Sequence, residues 1–267
     1  MIFLDINIAF QGGGIKGLAY VGVLRFLDER GYKVFKASGS SVGAIFAALA
    51  VAKYKAYEIE EIIETLDINN LICSNTFING IQTKGINNIC NLESKIEEIL
   101  AKKNIKTFQD LKYGDDYLLK IIVTDNKKKI PVILPNDLKK YGINCDSFKV
   151  AKAVAMSCSI PIIFSEYKIG NYCFVDGGAT YRFPLEVVVD RIHPVLGVKL
   201  IRKNVRVLDF FQNRIYKTKE NKLINNNIVI IEIDTLDLKA IQFLKGLTKR
   251  KELYKLGYNC IKRRLTK

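Results

Sequence analysis

Residues 34–49 read VFKASGSSVGAIFAAL: an apolar, strand-like run is halted by three serines set among two glycines, and small and apolar residues follow at once. Only Ser41 has glycine two places away on both sides, at Gly39 and Gly43, so G-S-S-V-G satisfies the frame G-x-S-x-G, which Ser38 and Ser40 do not fit. Between a strand and a helix this frame predicts a nucleophile elbow. The turn is so tight that no side chain fits beside the serine, and the N-terminus of the following helix favours negative charge formed there. A plain tight turn uses the same residue types, so the surrounding sequence has to decide between the two.

Upstream, Ile6–Phe10 reads as a short buried strand. Ile15–Arg30 reads as a helix with Leu18, Val21, Leu24 and Leu27 on one face and Gly31 as its cap. With Val34–Ala37 as a second strand and Val42–Lys53 as a second helix, the chain opens strand, glycine turn, helix, strand, glycine turn, helix. That order predicts an α/β fold with a mostly parallel central sheet. Further on, Tyr57–Leu66 and Leu92–Lys102 are predicted helices, with a polar loop over Ser74–Asn88 between them. Leu118–Thr124 and Ile130–Leu134 are predicted strands joined across the basic turn NKKK, and Phe148–Met156 is a helix that ends before Pro161. Tyr167–Ile169 and Tyr172–Val175 read as a hairpin around Gly170 and Asn171 that delivers Asp176 at a strand end.

The chain has 267 residues, 49% of them hydrophobic and 26% charged, which fits one globular α/β domain spanning 1–267 and excludes disordered and fibrous classes. Six cysteines without a C-x-x-C pair suit neither a zinc site nor a disulfide framework, so they are expected to be reduced core residues. No apolar run reaches the roughly 18–20 residues that cross a bilayer, and MIFLDINIAF lacks the basic start and cleavage site of a signal peptide. A cytoplasmic protein is the expectation. A net charge of +15 favours an anionic partner, either nucleic acid or an acidic lipid surface, unless it is a solvated basic face.

Two further glycine-marked stretches bear on chemistry. FQGGGIKG, residues 10–17, satisfies G-x-G-x-x-G through Gly12, Gly14 and Gly17, and such a turn aims backbone N–H groups at an anion. A dinucleotide site also needs an acidic residue at the end of the second strand. Ala37, Ser38 and Gly39 stand there instead, and Leu18 and Ala19 follow Gly17 where a Walker A loop needs Lys and Ser/Thr. The functional reading left is an oxyanion hole built from the amides of Gly13 and Gly14. VDGG, residues 175–178, is either a glycine turn capped by Asp176 or the place of a base for the serine. The single histidine, His193, lies before Pro194 at an element boundary, a context that suits a structural residue. If it takes no part, a carboxylate must accept the serine proton directly.

Gly-Gly-Gly-Ile-Lys-Gly (12–17), Gly-Ser-Ser-Val-Gly (39–43) and Asp-Gly-Gly (176–178), in that order, resemble the patatin-like phospholipases. SFKVAKAVAMSCSIPIIF (147–164) is similar to the block before that family's aspartate, and TFQDL (107–111) to its mid-domain segment. The resemblance runs from about Ile6 to about Pro184 and departs at Arg182, where the family often has Asn. It implies a single patatin-like domain with a modified α/β-hydrolase-like sheet between helical layers (α/β/α). The implied activity is lipid acyl hydrolysis by a Ser-Asp dyad, with Ser41 as nucleophile, Asp176 as base and the turn of Gly12, Gly13 and Gly14 as oxyanion hole. Neither metal nor other cofactor is implied, the substrate is a phospholipid or another acyl lipid, and no nucleic acid is expected. Lys16 is either a contact for an anionic head group or a structural or solvated lysine.

The competing readings are a non-catalytic lipid- or membrane-binding module on the same fold and a dinucleotide-binding enzyme. The C-terminal part, 237–267, reads as basic and helical. Over residues 243–267, Lys and Arg face the single acid Glu252, while Leu247, Tyr254, Tyr258, Ile261 and Leu265 recur at near-helical spacing. One face of such a helix packs on the domain, and the basic face either meets anionic lipid as a peripheral membrane contact or is simply solvated.

Overall fold

The computed structural model describes residues 4–66, 76–78, 81–83, 89–161, 163–202, 227–235 and 238–266. Eight strands form one sheet: β1 (Asp5–Phe10), β2 (Lys33–Ser40), β3 (Leu119–Asp125), β4 (Ile130–Leu134), β5 (Tyr167–Ile169), β6 (Tyr172–Asp176), β7 (Val195–Ile201) and β8 (Ile228–Asp234). Their order is β8-β7-β1-β2-β3-β6-β5, with β4 also paired to β3. The first five in that order run parallel. β4 and β6 are antiparallel to β3, and β5 closes a hairpin on β6. The central strands are buried on both faces, as a sheet covered on both sides requires: β1 is buried after Asp5, and β3, LKIIVTD, along its whole length.

β3 governs the geometry of the site. Leu119–Ile122 pair with Ala37–Ser40 of β2, and Val123–Asp125 pair with Phe174–Asp176 of β6, while Ile121–Asp125 pair with β4. β2 and β6 therefore share one edge of β3 and run towards each other along it. Ser40 lies opposite Ile122 and Asp176 opposite Val123, so the ends of the two strands meet at adjacent rungs.

Helices α1 (Ala19–Glu29), α2 (Val42–Val51), α3 (Ala56–Thr65), α4 (Cys90–Ala101), α5 (Val150–Ser157), α6 (Phe243–Thr248) and α7 (Arg250–Leu265) flank the sheet. The aromatic rings of Phe10, Tyr20 and Phe46 join β1, α1 and α2, with centroids 4.9–6.3 Å apart. Ala9, on the opposite face of β1 from Ile8 and Phe10, packs instead with Phe183, Leu185 and Val188 of the segment that follows β6. The C-terminal helix crosses α1 where Gly22 and Gly257 let the backbones touch: a side chain at Gly257 would meet Ala19 O at 1.9 Å. No helix of the described residues is long and apolar enough to cross a membrane.

Most predicted elements lie within a few residues of the observed ones, with three differences. The expected helix from Ile15 begins as a 3-10 turn, Gly14–Leu18, and turns α-helical only at Ala19. Within the expected polar loop, Thr76–Ile78 and Ile81–Thr83 pair as a short hairpin, and the remainder of that loop lies outside the described residues except for Ser74–Asn88 positions already named as strand. The basic C-terminal part is two helices divided at Lys249.

Candidate active site

β2 ends at Ser40, and Ser41 turns the chain into α2 with φ 55° and ψ −129°. A non-glycine residue in that region carries strain of roughly 1–3 kcal/mol, which persists only where its surroundings hold it. The glycines of the frame explain how the turn closes. A side chain at Gly39 would meet Gly43 O at 2.0 Å, and one at Gly43 would meet Phe10 O at 2.4 Å, so β1, β2 and α2 converge at contact distance under the serine. Ser157, the last residue of α5, holds the elbow to the sheet: its Oγ accepts the Ser41 N–H at 2.8 Å and donates to Ile122 O at 2.6 Å. Motif reading missed Ser157, which no local pattern marks, because its role depends on α5 docking against β3.

Asp176 ends β6 and is 7% exposed. Its N–H donates to Ser159 O at 2.9 Å, and its carbonyl accepts the Thr124 hydroxyl at 2.9 Å. Oδ1 accepts the Gly178 N–H at 2.7 Å. Oδ2 is buried and has no partner at hydrogen-bond distance among the described residues, although the Ser41 side chain lies near enough to favour its charged form. Catalytic pairs often close to full hydrogen-bond distance only when substrate binds. Burial pushes the carboxyl up to about 6, opposed in turn by the Ser41 hydroxyl, the Gly178 N–H and the Arg182 guanidinium. Such a group is a stronger base than an ordinary aspartate and is still about nine-tenths ionised at pH 7.

The glycine-rich turn, residues 12–14, lies beside the elbow: a side chain at Gly12 would meet Ser40 O at 3.1 Å and Ser41 Cβ at 3.4 Å. The Gly12 N–H already donates to Arg182 O at 2.9 Å, so of the three expected oxyanion donors Gly12 is committed elsewhere. The Gly13 and Gly14 N–H groups meet no acceptor among the described residues. Gly14 has φ +56°, and Ala240 O would lie 2.2 Å from a side chain there. Arg182 closes the contact from the other side, its Nε donating to Gly12 O at 2.8 Å. Arg182, where the resemblance departs, thus ties the segment that follows β6 to the turn.

Lys16 is 5% exposed within the 3-10 turn, so the solvated reading does not hold, and it does not stand out as an exposed head-group contact. His193 lies at the other end of the sheet. It precedes β7, its Nδ1 is 3.1 Å from Asp190 Oδ2, and its ring stacks on Phe35 at 4.3 Å. Ser40 Oγ is buried against Gly177 without a partner among the described residues, whereas Ser41 faces a cavity. Among the described residues no group of three or more His, Cys, Asp or Glu is placed to hold a metal.

That cavity, about 180 Å³, extends from Ser41 and Gly14 between Ile45 and Leu49 of α2, Ile62 of α3, Ile96 of α4 and Phe243 of α6. Its walls are almost wholly apolar. Cys158 also lines it, but burial and then the charge of Asp176 push its thiol well up, which keeps it protonated and a poor nucleophile. A hydroxyl beside a buried carboxylate, two backbone donors and an apolar cavity together suit acyl transfer from an ester with a long hydrocarbon chain.

A family model described as patatin-like phospholipase matches residues 8–189. YqhO of Bacillus subtilis (strain 168) is 31% identical, the match covering 94% of this chain and 95% of YqhO. The probable lipid hydrolase 463L of invertebrate iridescent virus 6 is 24% identical over 91% of this chain and 83% of its own. Among solved structures, VipD of Legionella pneumophila superposes with a TM-score of 0.58 at 15% identity, covering 98% of this chain and 66% of VipD. The type III effector ExoU gives 0.52 at 16% identity, covering 97% of this chain and 53% of ExoU. These two likenesses concern the fold.

Proposed function

The chain belongs to the patatin-like phospholipase family and is a patatin-type lipid hydrolase, and we propose that Ser41 is its nucleophile and Asp176 its general base. Asp176 Oδ2 takes the proton of Ser41 Oγ as Oγ bonds to the acyl carbonyl carbon. The oxyanion so formed is met by the Gly13 and Gly14 amides. Collapse breaks the ester C–O bond, and the leaving alcohol takes the proton from Asp176. Water then attacks the acyl enzyme, giving a proton to Asp176, and as the bond from the acyl carbon to Ser41 Oγ breaks Asp176 returns that proton to Oγ and the fatty acid departs. The acyl chain occupies the apolar cavity, whose lining matches hydrocarbon and offers few polar partners.

One observation carries this reading. β2 and β6 meet end to end on the edge of β3, which brings together two residues about half the chain apart, and the cavity begins at one of them. The basic surface, including exposed Lys255, Lys262, Arg263 and Arg264 of α7, supports a peripheral contact with anionic lipid, each charge near such a surface contributing about 1 kcal/mol. Labelling with a fluorophosphonate probe, combined with an assay on mixed phospholipids, tests the assignment. Ser41→Ala should abolish labelling and hydrolysis. Labelling that survives in Ser41→Ala but disappears in Ser40→Ala would transfer the role to Ser40.

A further inference from the structure

The segment from Leu238 to Arg250 sits on the site and turns an apolar face to solvent. Ala240 O accepts the Ile15 N–H at 3.0 Å, directly after Gly14, and Phe243 lines the cavity that Ser41 also lines. On the same turn Ile241 and Leu244 are 61% and 64% exposed. Residues 238–251 contain no Asp or Glu, and Lys239 and Lys245 are exposed beside the two apolar side chains. Two large aliphatic side chains in water, with exposed lysines close to them in the sequence, match the layered chemistry of an anionic bilayer, hydrocarbon beneath acidic head groups.

We propose that this segment is the part of the enzyme that inserts into an anionic lipid bilayer, next to the basic contact of α7. Ile241 and Leu244 enter the acyl region, Lys239 and Lys245 lie at the head groups, and Phe243 borders the route of an acyl chain into the cavity. The proposal rests on the lipid-hydrolase reading of that cavity. An acyl chain drawn from a bilayer avoids crossing water only if an element lining the cavity touches the lipid, and the stretch from Lys239 to Lys245 lines that cavity through Phe243 while exposing Ile241 and Leu244.

The chain contains no tryptophan, so Ile241→Trp supplies a single indole reporter. With phosphatidylcholine–phosphatidylglycerol vesicles its emission should shift to the blue and be quenched by brominated acyl chains. The double variant Ile241→Ser/Leu244→Ser should bind those vesicles, and hydrolyse their lipid, about tenfold more weakly, while turnover of a soluble short-chain ester stays within about twofold, which also shows that it is folded. The proposal is overturned if the indole does not respond to vesicles that the wild type hydrolyses, or if the double variant binds and hydrolyses them like the wild type. A blue shift in a protein that cleaves neither vesicle lipid nor soluble ester would uphold the docking surface and overturn the reading of the site.

Discussion

Replacing Asp176 with asparagine should destroy activity and at the same time make the protein more stable at neutral pH. The carboxyl is held at about 6 instead of the ordinary 3.8, chiefly by burial. At 1.36 kcal/mol per pH unit, that gap corresponds to about 3 kcal/mol of folding free energy lost by ionising the buried group. The sign follows from proton binding. The folded protein holds this proton more tightly than the unfolded chain, so the cost is absent below about pH 4, grows as pH rises through about 6, and is complete by about pH 7.

Asparagine keeps an oxygen for the Gly178 N–H and carries no charge, so Asp176→Asn should avoid the cost. Paired urea titrations give the difference directly. The variant should be more stable than the wild type by up to about 3 kcal/mol at pH 8, and the advantage should largely vanish at pH 4. A difference that does not change with pH, or a wild type that is the more stable at pH 8, would refute the reasoning that Asp176 is ionised in a buried site.

The same carboxyl should control rate: kcat/KM on a soluble ester should climb with pH through a single apparent pKa near 6 and level off above it. His193→Asn should leave that profile unchanged, since the ring is occupied by Asp190 and Phe35 at the far end of the sheet; loss of activity in a folded variant would reinstate the histidine. Arg182→Gln removes a charge that favours ionised Asp176 and a donor to Gly12 O, so the inflection should move to higher pH and kcat should fall; an unmoved inflection counts against that coupling. Ser157→Ala leaves the buried Ser41 N–H without its acceptor, which should cost about 1–3 kcal/mol in unfolding measurements. It should also lower kcat more than it raises KM, and kinetics indistinguishable from wild type would show that the elbow holds its shape unaided.

What the sequence by itself determined is local. The frame around Ser41 is set by close backbone approaches at Gly39 and Gly43, and the turn before it by the positive φ and close backbone at Gly14, which only glycine tolerates readily, so these residues announce them. The alternation of apolar strand, glycine turn and helix over the first fifty residues fixes the parallel start of the sheet, because period and turn chemistry act within a few residues. The strand β8, IVIIEID, carries an equally plain β-branched signal; motif reading stops at Pro184 and passes it by.

Tertiary structure decided which of these local features meet. Asp-Gly-Gly alone reads as readily as a capped turn; what brings Asp176 to Ser41 is that β6 joins β3 antiparallel on the same edge as β2, a register no local pattern specifies. The bonds from Ser157 and Arg182, the enclosure of Lys16 and the commitment of the Gly12 N–H all depend on segments far apart in the chain. The raised pKa of Asp176 has the same origin: desolvation depends on everything packed around a group, and that neighbourhood exists only once the fold has closed.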